Sequence, residues 1–369
     1  MTATTPNNRI ALPDLVAEIQ GRLQGAGITL ADMRKAGSLE TDFNVPQVML
    51  PGDEDLPAQP LERLENVESI ACREIARRNE TQFRWFLDGS QKTLPVWRVG
   101  IVPIIVGIAA AGILQRDDEG ESLLVGETLA EGRTWFIPRE TGSTDLQRVI
   151  EALEAVGENV EDPLERFIDE DMSQYLAYAG NYNRVILHAQ EAANRARGDM
   201  EQTAAWRWNA NVRETDPDAW LVIDGRLQRQ YRNAVGLVKD PTQQHLFGEE
   251  ATLLFSLPQG HRTTAYWLNQ GKRGGSDDGP ELRNQTFTMW YQRMWPAQGL
   301  DARHALIRVE TSNEFWETEV IDDIASWLMA ERIPRPTKDS RWATMLYPIH
   351  ILELMLKRRI KAMTAGWPS

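Results

Sequence analysis

Two short stretches of this 369-residue chain put an aspartate in nearly the same setting. FLDGS places Asp88 after the apolar run Trp85, Phe86 and Leu87, and before Gly-Ser. LVIDGRL places Asp224 after Leu221, Val222 and Ile223, and before Gly-Arg, 136 positions later (224 − 88). Asp-Gly is an ordinary turn signal, and two turns are one reading. The other is a pair of carboxylates that one fold brings together. Such a pair supplies the oxygen donors that a hard divalent cation prefers. Phosphodiester hydrolysis uses several carboxylates in this way, with one ion activating water and a second steadying the leaving oxygen.

The elements around the acids decide whether they can meet. QFRWFLDGS, VWRVGIVPIIVGIAAAGIL and SLLVGETL read as strands, the last two separated by the turn-like DDEGES, which predicts an antiparallel meander. DLQRVIEALEAV opens a helical middle, continued by the long charged run from Asp162 to Asn209. AWLVID is almost wholly apolar, as a strand covered on both faces should be. The last third mixes strands (LVKD, ATLLFSL, TTAYWL, TFTMWYQRMW, ALIRVET) with helices at EVIDDIASWLMAE and HILELMLKRRIKAM, interrupted by the loop QGKRGGSDDGPE. Residues 1–80 read as helices, IALPDLVAEIQGRL and LERLENVESIACREIARRNE, joined by the Pro-rich acidic loop VMLPGDEDLPAQPLE. An acid just after a buried strand lies at the carboxyl edge of the sheet, where α/β folds place ligands. The expected class is therefore α/β, with both acids at that edge.

Composition narrows the function classes. The chain is 42% apolar and 25% charged, the balance of a soluble globular protein. Its net charge of −14 argues against a broadly basic, DNA-coating surface but leaves room for a local basic groove. One cysteine, Cys72, permits no disulfide framework and suits a reducing, cytoplasmic setting. The N-terminal MTATTPNNRIALPDL does not read as a signal peptide. VGIVPIIVGIAAAGIL, with Pro103 and Gly107 inside it, is too short for a typical membrane span and is expected to form buried strands. No Gly-x-x-x-x-Gly-Lys-Ser/Thr loop is present, so any ATP-driven translocation must come from another chain. Most of the 13 tryptophans are expected in the core, and a few at a dimer or partner interface.

The ordered motifs resemble one family, the NurA domain, a nuclease of ribonuclease H-like fold. FLDGS resembles its first apolar-DGS motif and LVIDGRL its second, with Arg226 where serine is usual. VGLVKD resembles its VGVVK segment, with Lys239 in place. QGHRTTAYWL, MWYQRM, ALIRVE and LYPIHILEL resemble its Gly-x-Arg-Thr, Trp-Tyr-x-Arg, Ile-Arg-x-Glu and Tyr-Pro-x-x-Leu segments. The matches run in order from about residue 83 to 357.

The resemblance implies a ribonuclease H-like mixed sheet flanked by helices, spanning residues 81–369 with a helical insertion around 145–210, after an N-terminal helical extension over 1–80. It implies manganese-dependent DNA cleavage, endonucleolytic and 5′-to-3′ exonucleolytic, by a homodimer docked on a HerA-type hexameric ATPase in DNA end processing or phage defence. Asp88, Glu201 and Asp224 would hold Mn²⁺ or Mg²⁺, two ions per site, with Glu191 the second choice for the glutamate. The family's tyrosine falls on Tyr347. Its histidine falls on Met355, which cannot ligate a hard cation, and His350 or Glu353 would have to substitute.

Arg226, Arg229, Arg232, Lys239 and Arg262 lie near the second motif and could contact phosphate; Lys272 and Arg273 sit in the Gly-rich loop. Ordinary surface solubility is the alternative for each. A second function class stays open: a catalytically weak NurA-like scaffold that regulates or loads an ATPase, suggested by Met355, Arg226 and the acidic charge. A third is a ribonuclease H-like enzyme acting on RNA or hybrids. No membrane role is expected.

Overall fold

The computed structural model describes residues 10–28, 30–32, 61–65, 68–117, 119–239, 245–269, 286–297, 300–337 and 341–367. In chain order the elements are α1 (Leu12–Gly25), β1 (Ala31–Asp32), β2 (Glu62–Arg63), β3 (Cys72–Glu74), β4 (Phe83–Val99), β5 (Val102–Arg116), β6 (Ser122–Leu124) and β7 (Ala130–Phe136). Then come α2 (Thr144–Glu154), β8 (Asn159–Glu161), α3 (Arg166–Glu170), α4 (Met172–Ala179), the 34-residue α5 (Tyr182–Thr215), β9 (Trp220–Asp224), β10 (Ala234–Val238) and α6 (Gly248–Ser256). β11 (His261–Thr263), β12 (Tyr266–Asn269), β13 (Thr286–Arg293), β14 (Leu306–Ser312), α7 (Thr318–Ala330) and α8 (Tyr347–Met363) complete the chain.

The strands form one mixed sheet in the order β2-β12-β13-β14-β10-β9-β4-β5-β7-β8, with β1, β3, β6 and β11 pairing off this path. β4, β5 and β7 are an antiparallel meander. On the other side of β4 the direction changes, and β9 and β10 run parallel to it. The centre can be buried because its strands are apolar on both faces: Leu221 to Ile223 and nearly all of β5 are inaccessible to solvent.

Alternation along the strands sorts the two faces. Phe86, Leu94 and Val222 join a core with α1, α2, α7 and α8, through residues such as Leu15, Val149, Ile324 and Leu352. Leu87, Leu221 and Ile223 join the opposite core, with Ala204 and Trp208 of α5 and Leu254 of α6. Helices therefore cover both faces, and α5 and α8 meet the same two central strands from opposite sides. The caps are local: Ser143 accepts from the Leu146 N–H at α2, and Asn181 from the Arg184 N–H at α5. Among the described residues, no helix is long and apolar enough to cross a membrane.

The structure corrects three expectations and divides a fourth, the helical middle, into separate helices. LERLENVESIACREIARRNE is not a helix: β2 and β3 lie within it and pair with β12 and β11. Its charges serve distant partners instead, Arg63 on Glu250 and Glu65 on Arg262. ATLLFSL is not a strand but lies in α6, with Leu254 facing the core; a short apolar run carries no decisive period. The charged middle run breaks into α3, α4 and α5 at Asp171 and Asn181, both of which cap the helix that follows. Finally, Asp88 does not end a strand. β4 continues through it for 17 residues, because Asp88 and Gly89 pair across to Gly112 and Ala111 of β5. The hairpin turn comes later, at Gly100. The loop QGKRGGSDDGPE, with Lys272 and Arg273, and most of VMLPGDEDLPAQPLE lie outside the described residues.

Candidate functional site

The parallel register of β4 and β9 pairs Leu87 with Ile223, so the next residues, Asp88 and Asp224, stand side by side. By alternation both side chains project to the face of Phe86 and Val222. β9 ends at Asp224, whereas β4 runs on. Gly225 then turns the chain away at φ 128°, and its N–H donates to the Leu237 carbonyl at 2.8 Å. The two DG motifs thus do different jobs. The first lies in mid-strand, and the second is a real turn at a strand end.

Glu201 arrives from the other face, on α5. It can do so because residue 89 is glycine. A Cβ built on Gly89 would lie 2.2 Å from Glu201 Oε1 and 2.9 Å from Arg197 Cγ, so the carboxylate occupies the space a side chain would fill. Arg197, one helical turn before Glu201, donates to Oε1 at 2.6 Å. Lys239, just after β10, pairs with Asp224 Oδ2 at 2.5 Å.

A fourth acid comes from α8. Glu353 pairs with Lys357 at 2.7 Å and Arg341 at 3.2 Å, and its charge reaches Asp88 and Lys239. The electrostatics of the group are uneven. Asp88 is 4% exposed; burial, and then the charge of Asp224, push its carboxyl well above the usual range, with Glu201 and Glu353 adding to the push and Lys239 opposing it. Burial, followed by Asp224, raises Glu201 to about 7 against the pull of Arg197. Burial also disfavours the Glu353 charge, but Lys357, Arg341 and Lys239 together hold its carboxyl below the ordinary value.

Asp88 and the three acids whose charges act on it, those three already paired with a cation, are by type the oxygen donors a divalent cation prefers. Asp88, Glu201 and Asp224 fit such an ion by type, and their charges act on one another. As they stand, no three His, Cys, Asp or Glu side chains among the described residues form a ready-made metal cage. Lys239 and Arg197 engage Asp224 and Glu201 instead.

The remaining candidates fall in other places. Glu191 lies ten positions before Glu201, about 15 Å along the helix, and pairs with His188 and Arg166; it is not part of the group. Tyr347 opens α8 and is largely exposed. His350 is partly buried, and its Nδ1 has no hydrogen-bond partner among the described residues. Met355 packs against the apolar core. Of the two substitutes weighed for it, Glu353 is the one whose charge acts on Asp88. Arg226 is exposed, Arg229 is partly buried, and Arg232 reaches Glu314 at 3.8 Å. Arg262 cannot meet phosphate. It is fully buried, with its guanidinium held by Glu65 and Asp322, because β11 is sandwiched between β3 and β13. The roles of Arg197 and Gly89 escaped the sequence reading. The i,i+4 spacing of Arg197 and Glu201 was a visible signal, whereas the aperture at Gly89 had none.

The fold is thus an α/β protein with a large mixed sheet flanked by helices. No protein-family model matches the chain, and no curated protein matches it.

Proposed function

We propose that this chain is a metal-dependent deoxyribonuclease of NurA type, built on a ribonuclease H-like core. One observation carries the reading: the register of β4 and β9 sets Asp88 beside Asp224, and Gly89 admits Glu201 from the opposite face, near enough for its charge to act on Asp88. The meander β4-β5-β7, extended past β4 by two parallel strands, supports the fold assignment. Asp88, Glu201 and Asp224 would hold Mn²⁺ or Mg²⁺. Bound there, the metal would supply activated water and charge for the leaving oxygen.

The chain's own contribution is position. The strand backbone fixes Asp88, whose Oδ1 accepts from the Gly89 N–H at 2.8 Å. α5 delivers Glu201 as a rigid rod. Lys239 and Arg197 keep the acids compatible until substrate and ion arrive, and Lys239 then offers its compact ammonium to a phosphate oxygen. A homodimer working with a HerA-type ATPase follows from the same resemblance, as does a role in end processing or phage defence. End-labelled single- and double-stranded DNA, incubated with Mn²⁺ or with EDTA, tests the reading. Cutting should require metal and disappear in Asp224→Asn, which leaves Lys239 a hydrogen-bond acceptor, while cooperative unfolding is retained. Cutting that survives in that variant overturns it. Cutting only when the ATPase is added marks a partner-gated site.

A second reading is a catalytically weak scaffold that loads an ATPase. It is favoured by the cations already paired with Asp224 and Glu201 and by Met355 in the core. Calorimetric titration with Mn²⁺ separates the two, since a scaffold binds none specifically.

A further inference from the structure

The sequence from 341 to 363 carries Arg341, Lys357, Arg358, Arg359 and Lys361 against a single acid, Glu353, in a molecule of net charge −14. The placement of these charges is not random. Tyr347, His350, Glu353, Leu354 and Lys357 fall on one side of α8 by their spacing of three and four. Glu353 is the inner member, 13% exposed, and it ties down two outer cations, Arg341 and Lys357, each 54% exposed. Arg341 precedes α8 and Lys357 lies nearly three turns inside it, so Glu353 draws the two cations together from separate segments. This pairing adjoins the carboxylate group, since α8 packs on β4 and β5 and Glu353 acts on Asp88 and Lys239.

We infer that Arg341 and Lys357, splayed from Glu353 at the rim of the carboxylate group, clamp the phosphodiester backbone of one nucleic-acid strand entering the site. The inference rests on the nuclease reading and supplies what that reading lacks, a local positive path to an acidic centre. Charge complementarity identifies the occupant. A polyanion approaching a −14 molecule is repelled except where cations are gathered, and an arginine beside a lysine offers forked and point donors to successive phosphates. Glu353 is a positioning residue here; it orders the two cations by pairing with both. Tyr347, exposed at the start of the same stripe, adds a ring on which a base can stack.

The test is binding of a short fluorescent single strand to the full chain, with Ca²⁺ in place of Mn²⁺, across a salt series. Cleavage with Mn²⁺ is followed in parallel. Each lost phosphate contact flattens the dependence of log K on log salt by about 0.7 for a single strand. The double variant Arg341→Ala with Lys357→Ala should therefore lose about 1.4 of that slope, and Arg341→Lys with Lys357→Arg should keep it. A control removing two exposed cations on α1 and α2, Arg22→Ala with Arg148→Ala, should leave the slope unchanged. An unchanged slope in the clamp variant, or a loss equal to that of the control, overturns the clamp. If cleavage then persists, the nuclease reading stands without it. A wild-type chain that neither binds nor cuts a strand overturns both.

Discussion

Two buried charge clusters in this protein are built on opposite principles. Around Arg262, opposite charges are interleaved. Its guanidinium donates to Glu65 at 2.7 and 2.8 Å and to Asp322 at 2.8 Å, Glu65 also accepts from the Ala265 N–H, and Arg73 stands nearby. Burial opposes the Glu65 charge, yet the hydrogen bond and charge of Arg262 outweigh it, and the carboxyl is held below its ordinary value. Around Asp88, the charges of three further acids act together with burial to push that carboxyl the other way. The first arrangement holds four strands and a helix in register. The second keeps like charges together at a cost in stability, relieved in part by Lys239, Arg197 and Lys357, and clusters of this kind are enriched at functional sites. Burial of charge alone separates nothing; the balance of sign does.

Breaking the balanced cluster should have the largest effect. Arg262→Met leaves Glu65 buried without its partner, and removing one member of a buried pair costs about 3–5 kcal/mol. Urea unfolding should show that fall in midpoint, and a loss below about 1 kcal/mol would mean that Asp322 and Glu65 simply hydrate.

Relieving the other cluster should work in the opposite sense. Asp88→Asn removes a buried like charge, and the apo protein should gain on the order of 1 kcal/mol in the same assay while cleavage is lost. A destabilised Asp88→Asn would mean that the Asp88 charge is needed by the fold and would erase the contrast.

The smallest effect is in the pH profile. Glu65 titrates lower in the folded chain than its ordinary 4.5, so its contribution is complete above that value and fades as pH falls through the depressed one. Denaturant midpoints should therefore decline on acidification below about 4.5, and Glu65→Gln should flatten that part of the decline.

The central strands and the terminal helices were legible because their periods are strong. AWLVID reads as a buried strand from its unbroken apolar run, and the motif acids could be seen as a pair from repetition alone. What stayed hidden was whatever depended on a distant partner. Arg63, Glu65 and Arg73 mimic a helical surface in sequence, yet they are consumed by Glu250, Arg262 and Asp322, nearly two hundred positions or more away. Asp-Gly at 88–89 carries a turn signal, which cross-strand pairing with β5 overrides. Arg262 looked like a phosphate contact because burial cannot be read from residue type. Glu353 was one of two substitutes weighed for Met355, and only the packing of α8 against β4 distinguishes it from His350.

Gly89 has a consequence for how such a chain can vary over time. Every other amino acid brings a Cβ, and a Cβ here meets the Glu201 carboxylate. Any other residue at 89 must push the Glu201 carboxylate and Arg197 aside, which matters if Glu201 serves the site. If a descendant lost the need for that carboxylate, the constraint would lift from both positions at once. Positions 89 and 201, 112 apart in sequence (201 − 89), should therefore be retained together or abandoned together, and a lineage with a side chain at 89 should be one in which the glutamate has gone.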